Sequence, residues 1–212
     1  MPSTTFERNV FINCPFDSDY KKFLHPMLFT LVYLGLKPQM AQTTDSGAVR
    51  IDRILKLIKE SKYSIHDLSR IVASKAGEIA RFNMPFELGL DIGIRSASKR
   101  SRLSTKQNLI IEQVSFRYQK ALSDLSGNDI QVYGDSPERL VLIIRNWFTT
   151  ILHPKQPSGS VIWEGYNEFQ TYFKAVTVDE GYDEKDLETL PINELIYFMS
   201  RWVKSKKNKS KS

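Results

Sequence analysis

The residue types that could do chemistry are concentrated in residues 61–95 of a 212-residue chain. The first half of this stretch predicts a short buried strand over residues 63–68 that turns polar at its carboxyl end. Ligands of open α/β sheets bind at the carboxyl ends of the strands, so polar side chains here are candidates for ligand contact. They are His66, Asp67, Ser69 and Arg70.

The second half of the stretch predicts the start of a helix. Pro85 suits a first helical turn because its missing N–H is no loss there, and Asn83 is the expected cap. Glu87 is then expected in the first turn, beside free backbone N–H groups and the positive end of the helix dipole. With Arg81, the stretch predicts a crevice lined by two carboxylates, a histidine, two arginines and an amide.

The sequence lacks the motifs of several other chemistries, so carboxylate chemistry is the class that remains. The three histidines are scattered and the single cysteine, Cys14, lies in an apolar run, so neither a metal site nor a reactive thiol is expected. The sequence has no Walker-type phosphate loop and no Gly-x-Gly-x-x-Gly after its first strand, which argues against an ATPase or a dehydrogenase. A glutamate, in contrast, can attack or stabilise an anomeric carbon whose transition state resembles an oxocarbenium ion, without a cofactor.

The acidic candidates have structural alternatives. Glu87 could serve only the helix dipole, a contribution of about 0.3–1 kcal/mol. Successive side chains of a strand point to opposite faces, so His66 and Asp67 are not expected to line one pocket together. Asp67 is the better candidate for holding the following loop through backbone N–H groups.

The basic candidates also have two interpretations. Arg70 and Arg81 flank residues 71–80 and could meet a phosphate or stay solvated. The same alternatives hold for Arg50 and Arg53, which lie near the start of a predicted helix with a basic face.

The layout of the stretch resembles a known family. The order of elements resembles that of the nucleoside 2-deoxyribosyltransferases: a strand, a polar turn, a loop, the segment Met84-Pro85-Phe86-Glu87-Leu88-Gly89-Leu90, and another buried strand. In that family, the glutamate of a Glu-Leu-Gly segment at a helix start is the nucleophile that attacks the sugar. The layout is also similar to TIR domains, whose glutamate after the third-strand loop supports cleavage of NAD at the nicotinamide bond. The resemblance covers residues 9 to about 113, and it is close only around Glu-Leu-Gly. Ile-His-Asp-Leu-Ser-Arg combined with Arg-Phe-Asn-Met-Pro-Phe-Glu-Leu-Gly also resembles a group of bacterial proteins of unassigned function.

The resemblance implies that Glu87 is the catalytic carboxylate of an enzyme that cleaves or transfers at an N-glycosidic bond. The implied substrate is NAD, a nucleoside or a deoxynucleotide, and the implied setting is bacterial phage defence. The alternative is a module that senses a nucleotide without cutting it and relays the signal to a partner. The residues expected to bind the substrate are Asn13, Phe16, Asp67, Ser69, Arg70, Arg81 and Asn83. Since His66, Asp67, Arg70 and Asn83 have no counterpart in either family, the substrate stays open.

Strands and helices alternate up to residue 152, which predicts an α/β, flavodoxin-like parallel sheet of about five strands with helices on both faces. The strands are expected over residues 9–16, 37–42, 63–68, 108–112 and 130–133, and helices over 19–36, 48–62, 116–125 and 139–152. The helix that contains Glu87 carries Gly89 and Gly93, which predict close packing on the sheet. The expected domains are an α/β domain over 1–152, a helical appendage over 153–204 packed on it, and a disordered basic tail over 205–212.

Composition sets the remaining expectations. Apolar content of 41% and charged content of 25% are ordinary for a globular protein, and the single cysteine predicts a reducing compartment. Without a signal peptide or a long apolar run, a cytoplasmic protein with no membrane contact is expected. The net charge of +6 is local, because residues 204–212 carry five lysines and no acid. The expected partner is a nucleotide or nucleoside; a homodimer, and nucleic-acid binding through the tail and residues 99–102, stay open as alternatives.

Overall fold

A computed structural model describes residues 5–41, 47, 49–73, 79–152 and 155–209. Its strands are β1 (Asn9–Asn13), β2 (Lys37–Gln39), β3 (Tyr63–Asp67), β4 (Gln107–Glu112) and β5 (Gln131–Val132). They form one parallel sheet in the order β2-β1-β3-β4-β5. The predicted flavodoxin-like α/β arrangement is confirmed, and it is accompanied by a C-terminal helical part.

The strand order leads us to expect a ligand crevice between β1 and β3. The chain passes from β1 to β2 on one side of β1 and then crosses from β2 to β3 on the other side, so the direction of winding reverses between β1 and β3. Ligands of such sheets bind outside the carboxyl ends of the strands at this reversal. Asn13 ends β1 and is paired in register with His66, next to the end of β3. The polar residues predicted from sequence therefore follow the two strands that border the crevice.

The helices are α1 (Thr5–Arg8), α2 (Lys21–Tyr33), α3 (Arg50–Glu60), α4 (Asn83–Ala97), α5 (Pro137–Ile151), α6 (Gly159–Asp179), α7 (Glu184–Glu188) and α8 (Ile192–Lys209). Short 3₁₀ helices cover Ser18–Tyr20, Arg102–Thr105, Arg117–Lys120 and Ser123–Leu125. The single helix predicted over 116–125 is wrong. Phe116 has a left-handed backbone with φ of 60°, and Leu122 leaves helical geometry, so α-helical hydrogen bonds cannot run through either position.

Two apolar clusters hold α3 and α4 on the sheet. One joins Phe11 of β1 to Ile54 and Ile58 of α3 and is extended by Leu90 and Ile94 of α4. The other joins Met84 and Leu88 of α4 to Ile110 of β4 and to side chains that follow β3. Helix α4, which carries Glu87, is thus packed along both of its sides, and its position is set by the two clusters together.

The prediction of close packing at Gly89 and Gly93 is wrong. Both glycines are exposed, and a Cβ built at either position would meet no atom within 4 Å. The buried residues of α4 include Met84, Glu87, Leu88 and Asp91, so the two glycines lie on its outer side.

Contacts divide the chain into two compact units, one over 1–21 and 36–136 and the other over 22–35 and 137–212. The first contains the sheet with α3 and α4, and the second contains α2 and α5 to α8. The domain boundaries expected from sequence remain predictions. Helix α8 runs to Lys209 and so includes residues 205–209 of the tail expected to be disordered, while 210–212 lie outside the described residues.

Aromatic side chains form the centre of the helical unit. Phe29 of α2 has ring contacts at 5.4–5.6 Å with Tyr166 and Phe169 of α6 and Trp202 of α8. Gly165 allows this approach, because a Cβ there would lie 3.4 Å from both Trp202 and Tyr33. Within the described ranges, the chain contains no helix with both the length and the apolar character needed to cross a bilayer.

Candidate functional site

Helix α4 begins differently from the sequence prediction. Its cap is Phe82, which makes no side-chain cap hydrogen bond, and Asn83 is the first helical residue. Asn83 is therefore not the cap. The first turn of α4 contains no acidic residue, and Glu87 lies beyond that turn. Because the favourable effect of a helix terminus falls off within its first turn, the dipole explanation for Glu87 loses its basis.

Glu87 is a buried carboxylate with an ionic partner on the neighbouring helix. Its side chain is 7% exposed, and its Oε1 lies 3.9 Å from Nη2 of Arg50 at the start of α3. Arg50 also donates to the carbonyl oxygen of Ala41, and half of its own side chain is exposed. Burial raises the pKa of Glu87 above its ordinary value, and the charge of Arg50 opposes that rise. Arg50 thus favours the ionised form of a carboxylate that burial would otherwise protonate more readily.

A buried chain of polar contacts connects β1, β3 and α4. Asn13 Nδ2 donates to the carbonyl oxygen of Met84 over 2.8 Å and lies 3.0 Å from His66 Nδ1. The other ring nitrogen, His66 Nε2, lies 3.2 Å from Asp91 Oδ2. Asp91 is also paired with Lys106, which directly precedes β4. Burial acts to raise the pKa of Asp91, but the hydrogen bond with His66 and the charges of His66 and Lys106 bring it below its ordinary value.

Asp67 makes a different set of contacts, as expected for a side chain on the opposite face of β3. Its Oδ2 accepts hydrogen bonds from Tyr20 Oη at 2.5 Å and from Tyr133 Oη at 2.9 Å. Its Oδ1 accepts from the backbone N–H of Ser69 at 2.7 Å, so the expected bond to the following loop is confirmed. Burial raises the pKa of Asp67, while the bonds from Ser69, Tyr20 and Tyr133 oppose the rise.

Arg70 and Arg81 converge on one carboxylate. Asp17, four residues beyond the end of β1, accepts from Arg70 Nη2 at 3.1 Å and from Arg70 Nε at 3.4 Å. Arg81 Nη1 lies 3.4 Å from the same carboxylate. Burial acts to raise the pKa of Asp17, but the hydrogen bond from Arg70 and the charges of both arginines lower it below its ordinary value. The structure therefore joins two residues that lie eleven positions apart in the sequence.

Another arginine fixes the end of β4. Arg117 Nη2 donates to Glu112 Oε1 at 2.5 Å and to the carbonyl oxygen of Ser69 at 2.7 Å. Glu112 is fully buried, and burial raises its pKa against the opposing effect of Arg117. This pair ties the segment after β4 to the segment after β3, and so supports the polar residues that follow β3.

Large aromatic side chains are exposed in the segments around this edge. Phe16 follows β1, Phe82 and Phe86 lie at the start of α4, and Phe116 follows β4. They are 43%, 62%, 57% and 70% exposed, respectively. Aromatic faces of this kind can stack on a base, so the edge offers apolar as well as charged contacts.

The predicted site residues thus fall into distinct groups. Asn13, Asp67 and Ser69 are buried and hydrogen-bonded within the protein, Ser69 through its backbone. Phe16, Arg81 and Asn83 are exposed, and Arg70 is half-buried. Their assignment to substrate binding stays a prediction. Sequence reasoning missed four buried residues of these polar networks: Tyr20, Asp91, Lys106 and Tyr133. Asp91 had one usable signal, since it lies four residues after Glu87 and so on the same face of the helix.

Other chemistries find less support among these residues. Cys14 is buried as expected, and burial, followed by the charges of Asp67, Glu87 and Asp17, raises the pKa of its thiol well above the ordinary value. In the parts of the chain that the structure describes, no three histidine, cysteine, aspartate or glutamate side chains are grouped so as to hold a metal ion.

Comparison with protein families finds no family that matches the chain, and comparison with curated proteins finds no match either.

Proposed function

We propose that the α/β unit cleaves or transfers at the N-glycosidic bond of a nucleotide or nucleoside, with Glu87 acting at C1′ of the sugar. The observation that carries the proposal is the environment of Glu87. It is a buried carboxylate, beyond the first turn of its helix, whose described ionic partner is a half-exposed arginine at 3.9 Å. Placing a carboxylate there costs stability, because burial disfavours its charge.

Contrast with the other buried carboxylates supports this choice. Asp67 accepts hydrogen bonds from two tyrosines and a backbone N–H, and Asp91 is paired with a histidine and a lysine. Both are engaged in holding the protein together. Among the described residues, the ionic partner of Glu87 is Arg50 at 3.9 Å, and a nucleophile needs an oxygen that can leave its partner and approach carbon.

The chemistry follows from these properties. An ionised Glu87 oxygen forms a bond to C1′ while the bond from C1′ to the base nitrogen breaks, and the departing base keeps that electron pair. Nicotinamide leaves NAD as a neutral molecule, whereas a purine or pyrimidine takes a proton from solvent. Water, or a second base, then displaces Glu87 from C1′ and restores the carboxylate. Arg50 keeps Glu87 ionised before the attack, and the exposed Phe16, Phe82 and Phe86 offer faces on which a base can stack.

The test is base release. Purified protein is incubated with NAD and, separately, with deoxynucleosides, and free base is quantified by chromatography. We expect release by the wild type and loss of at least about 100-fold in Glu87→Gln, which keeps the shape but cannot act as a nucleophile. The control is Glu60→Gln, the same change at an exposed end of α3. Equal release by Glu87→Gln and wild type would refute the proposal. Binding of intact nucleotide without release would favour the sensing module instead.

A further inference from the structure

Asp17 is held between two arginines in the geometry of a bound anion. Arg70 approaches its carboxylate side-on with two nitrogens, Nη2 at 3.1 Å and Nε at 3.4 Å, and Arg81 adds a third nitrogen at 3.4 Å. This fork of donors matches a phosphate as well as a carboxylate, because both present oxygens at similar spacing.

The charges at this position are unequal. Among the described residues, two guanidinium groups pair with one carboxylate, and the charge of Asp19 adds a weaker effect on Arg70, so the position itself keeps an excess positive charge that a second negative charge would balance. A phosphate group carries about −1.5 to −2 charges at pH 7 and is therefore the better counter-ion for the pair. The charge balance favours an incoming phosphate over the resident Asp17.

The cluster is accessible, unlike the Arg117–Glu112 pair of the same unit. The side chains of Arg70 and Arg81 are 32% and 53% exposed, and that of Asp17 is 23% exposed. Arg117, in contrast, is bonded to a fully buried carboxylate and to a backbone carbonyl. A ligand can therefore reach Arg70 and Arg81 without local unfolding of the protein.

The position of the arginines is fixed by the backbone. The N–H of Arg81 donates to the carbonyl oxygen of Arg70 over 3.1 Å, so the two residues are hydrogen-bonded neighbours. Arg70 follows β3, Asp17 follows β1, and Arg81 precedes α4 by two residues, which places the cluster at the same sheet edge as Glu87. Preorganised donors of this kind bind an anion with little cost of ordering.

We propose that Asp17 occupies a phosphate position and that the phosphate group of a ligand replaces it between Arg70 and Arg81. The inference rests on the proposed function and narrows it: the substrate is a phosphorylated nucleotide or dinucleotide and not a free nucleoside. Asp17 then acts as an internal competitor that stabilises the empty site and lowers the affinity for phosphate.

The experiment measures binding of inorganic pyrophosphate by calorimetry, with no turnover required. Asp17→Asn should bind pyrophosphate about fivefold more tightly than the wild type, the ratio that corresponds to one partly exposed ion pair of about 1 kcal/mol. Asparagine keeps an oxygen that can accept the N–H of Tyr20, the bond that Asp17 makes over 3.1 Å as the cap of its 3₁₀ turn. The control is Asp124→Asn, which removes the same charge from an exposed 3₁₀ helix.

A second variant addresses the donors. Arg70→Lys/Arg81→Lys keeps both charges but loses the fork, and we expect it to bind pyrophosphate at least about tenfold more weakly than the wild type. Competition with nucleotides then identifies the class of ligand. AMP or NAD should displace pyrophosphate, and adenosine should not. If AMP is the stronger competitor, the ligand is a monophosphate; if NAD is the stronger competitor, the ligand is a dinucleotide.

Unchanged or weaker pyrophosphate binding in Asp17→Asn would overturn the inference, and so would displacement by adenosine as strong as that by AMP. Glu87→Gln separates this inference from the proposed function. If that variant binds pyrophosphate normally and the wild type releases no base, the phosphate site stands while the enzymatic proposal fails.

Discussion

Lys106 Nζ lies 3.2 Å from Asp91 Oδ1, and both side chains are completely buried. Lys106 also donates to the carbonyl oxygens of Ile58 at 2.9 Å and Ser61 at 2.6 Å, at the carboxyl end of α3. A cation there satisfies terminal carbonyls and complements the helix dipole. One ammonium group thus links α3, α4 and the start of β4. Burial lowers the pKa of Lys106, and the charge of Asp91 opposes that effect.

The first prediction concerns this pair. Lys106→Met should lower the free energy of unfolding by about 3–5 kcal/mol, because it leaves the Asp91 charge buried without the lysine that pairs with it. Adding Asp91→Asn removes that charge, so the double variant should lose less stability than the sum of the two single variants. The measurement is urea denaturation, with Lys59→Met on the exposed side of α3 as the control. Additive losses would show that the two residues are not coupled.

The second prediction concerns the tautomer of His66. Asn13 Nδ2 donates to the Met84 carbonyl, which fixes the orientation of the Asn13 amide. The same NH₂ group faces His66 Nδ1 at 3.0 Å, so Nδ1 accepts and the ring proton lies on Nε2, toward Asp91. Nitrogen NMR of ¹⁵N-histidine protein at neutral pH should give an unprotonated Nδ1 and a protonated Nε2. Protonation of both nitrogens would mean that the Asn13 amide is turned.

The fold was predictable because its signals are local. Strands β1 and β3 are buried over their whole length, and β1 appears in the sequence within a short, largely apolar run, as parallel strands do. Helix α3 has a clear apolar stripe, so its existence and type were predicted correctly. The failure at residues 116–125 has a local cause that composition does not reveal, the left-handed backbone of Phe116.

The site was predictable only in part, because it depends on which strands become neighbours. The sequence indicated that His66 and Asp67 diverge, and they do. It could not indicate that Lys106 would meet Asp91, or that Tyr133 would meet Asp67, since these pairs are 15 and 66 positions apart and form only once the strand order is set. Sequence reasoning also located the cap of α4 one residue too late, which had kept the helix-dipole alternative for Glu87 open.

The third prediction uses the corrected position of two glycines. A Cβ at Gly89 or Gly93 would meet nothing within 4 Å, and both lie inside α4. Alanine at either site should therefore raise the free energy of unfolding by about 0.5–1 kcal/mol, since glycine loses more backbone entropy in a helix. Guanidinium denaturation of each variant checks this. Destabilisation by alanine would restore the interpretation that these glycines allow close packing.

The fourth prediction concerns the pH dependence of base release. Glu87 must be ionised to attack C1′, so activity should fall as the pH drops through its pKa, which burial raises above the ordinary 4.5. Arg50→Ala removes the charge that opposes this rise, so the acidic limb should move to higher pH. Arg50→Lys keeps the charge and should leave the limb nearly in place. An unshifted limb in Arg50→Ala would mean that another group controls it.

The last prediction is the cost of Glu87 to stability. A carboxylate whose pKa is raised by folding contributes its full stability below the unfolded value, and this contribution is lost as the pH rises through the folded pKa. Glu87→Gln carries no such charge, so the variant should be more stable than the wild type at pH 7 and should lose that advantage toward pH 4. Thermal unfolding across this range measures the difference, with Glu60→Gln as the exposed control. A variant that is less stable than the wild type at pH 7 would show that Glu87 holds the fold together, and a carboxylate in that role is a poor candidate for a nucleophile.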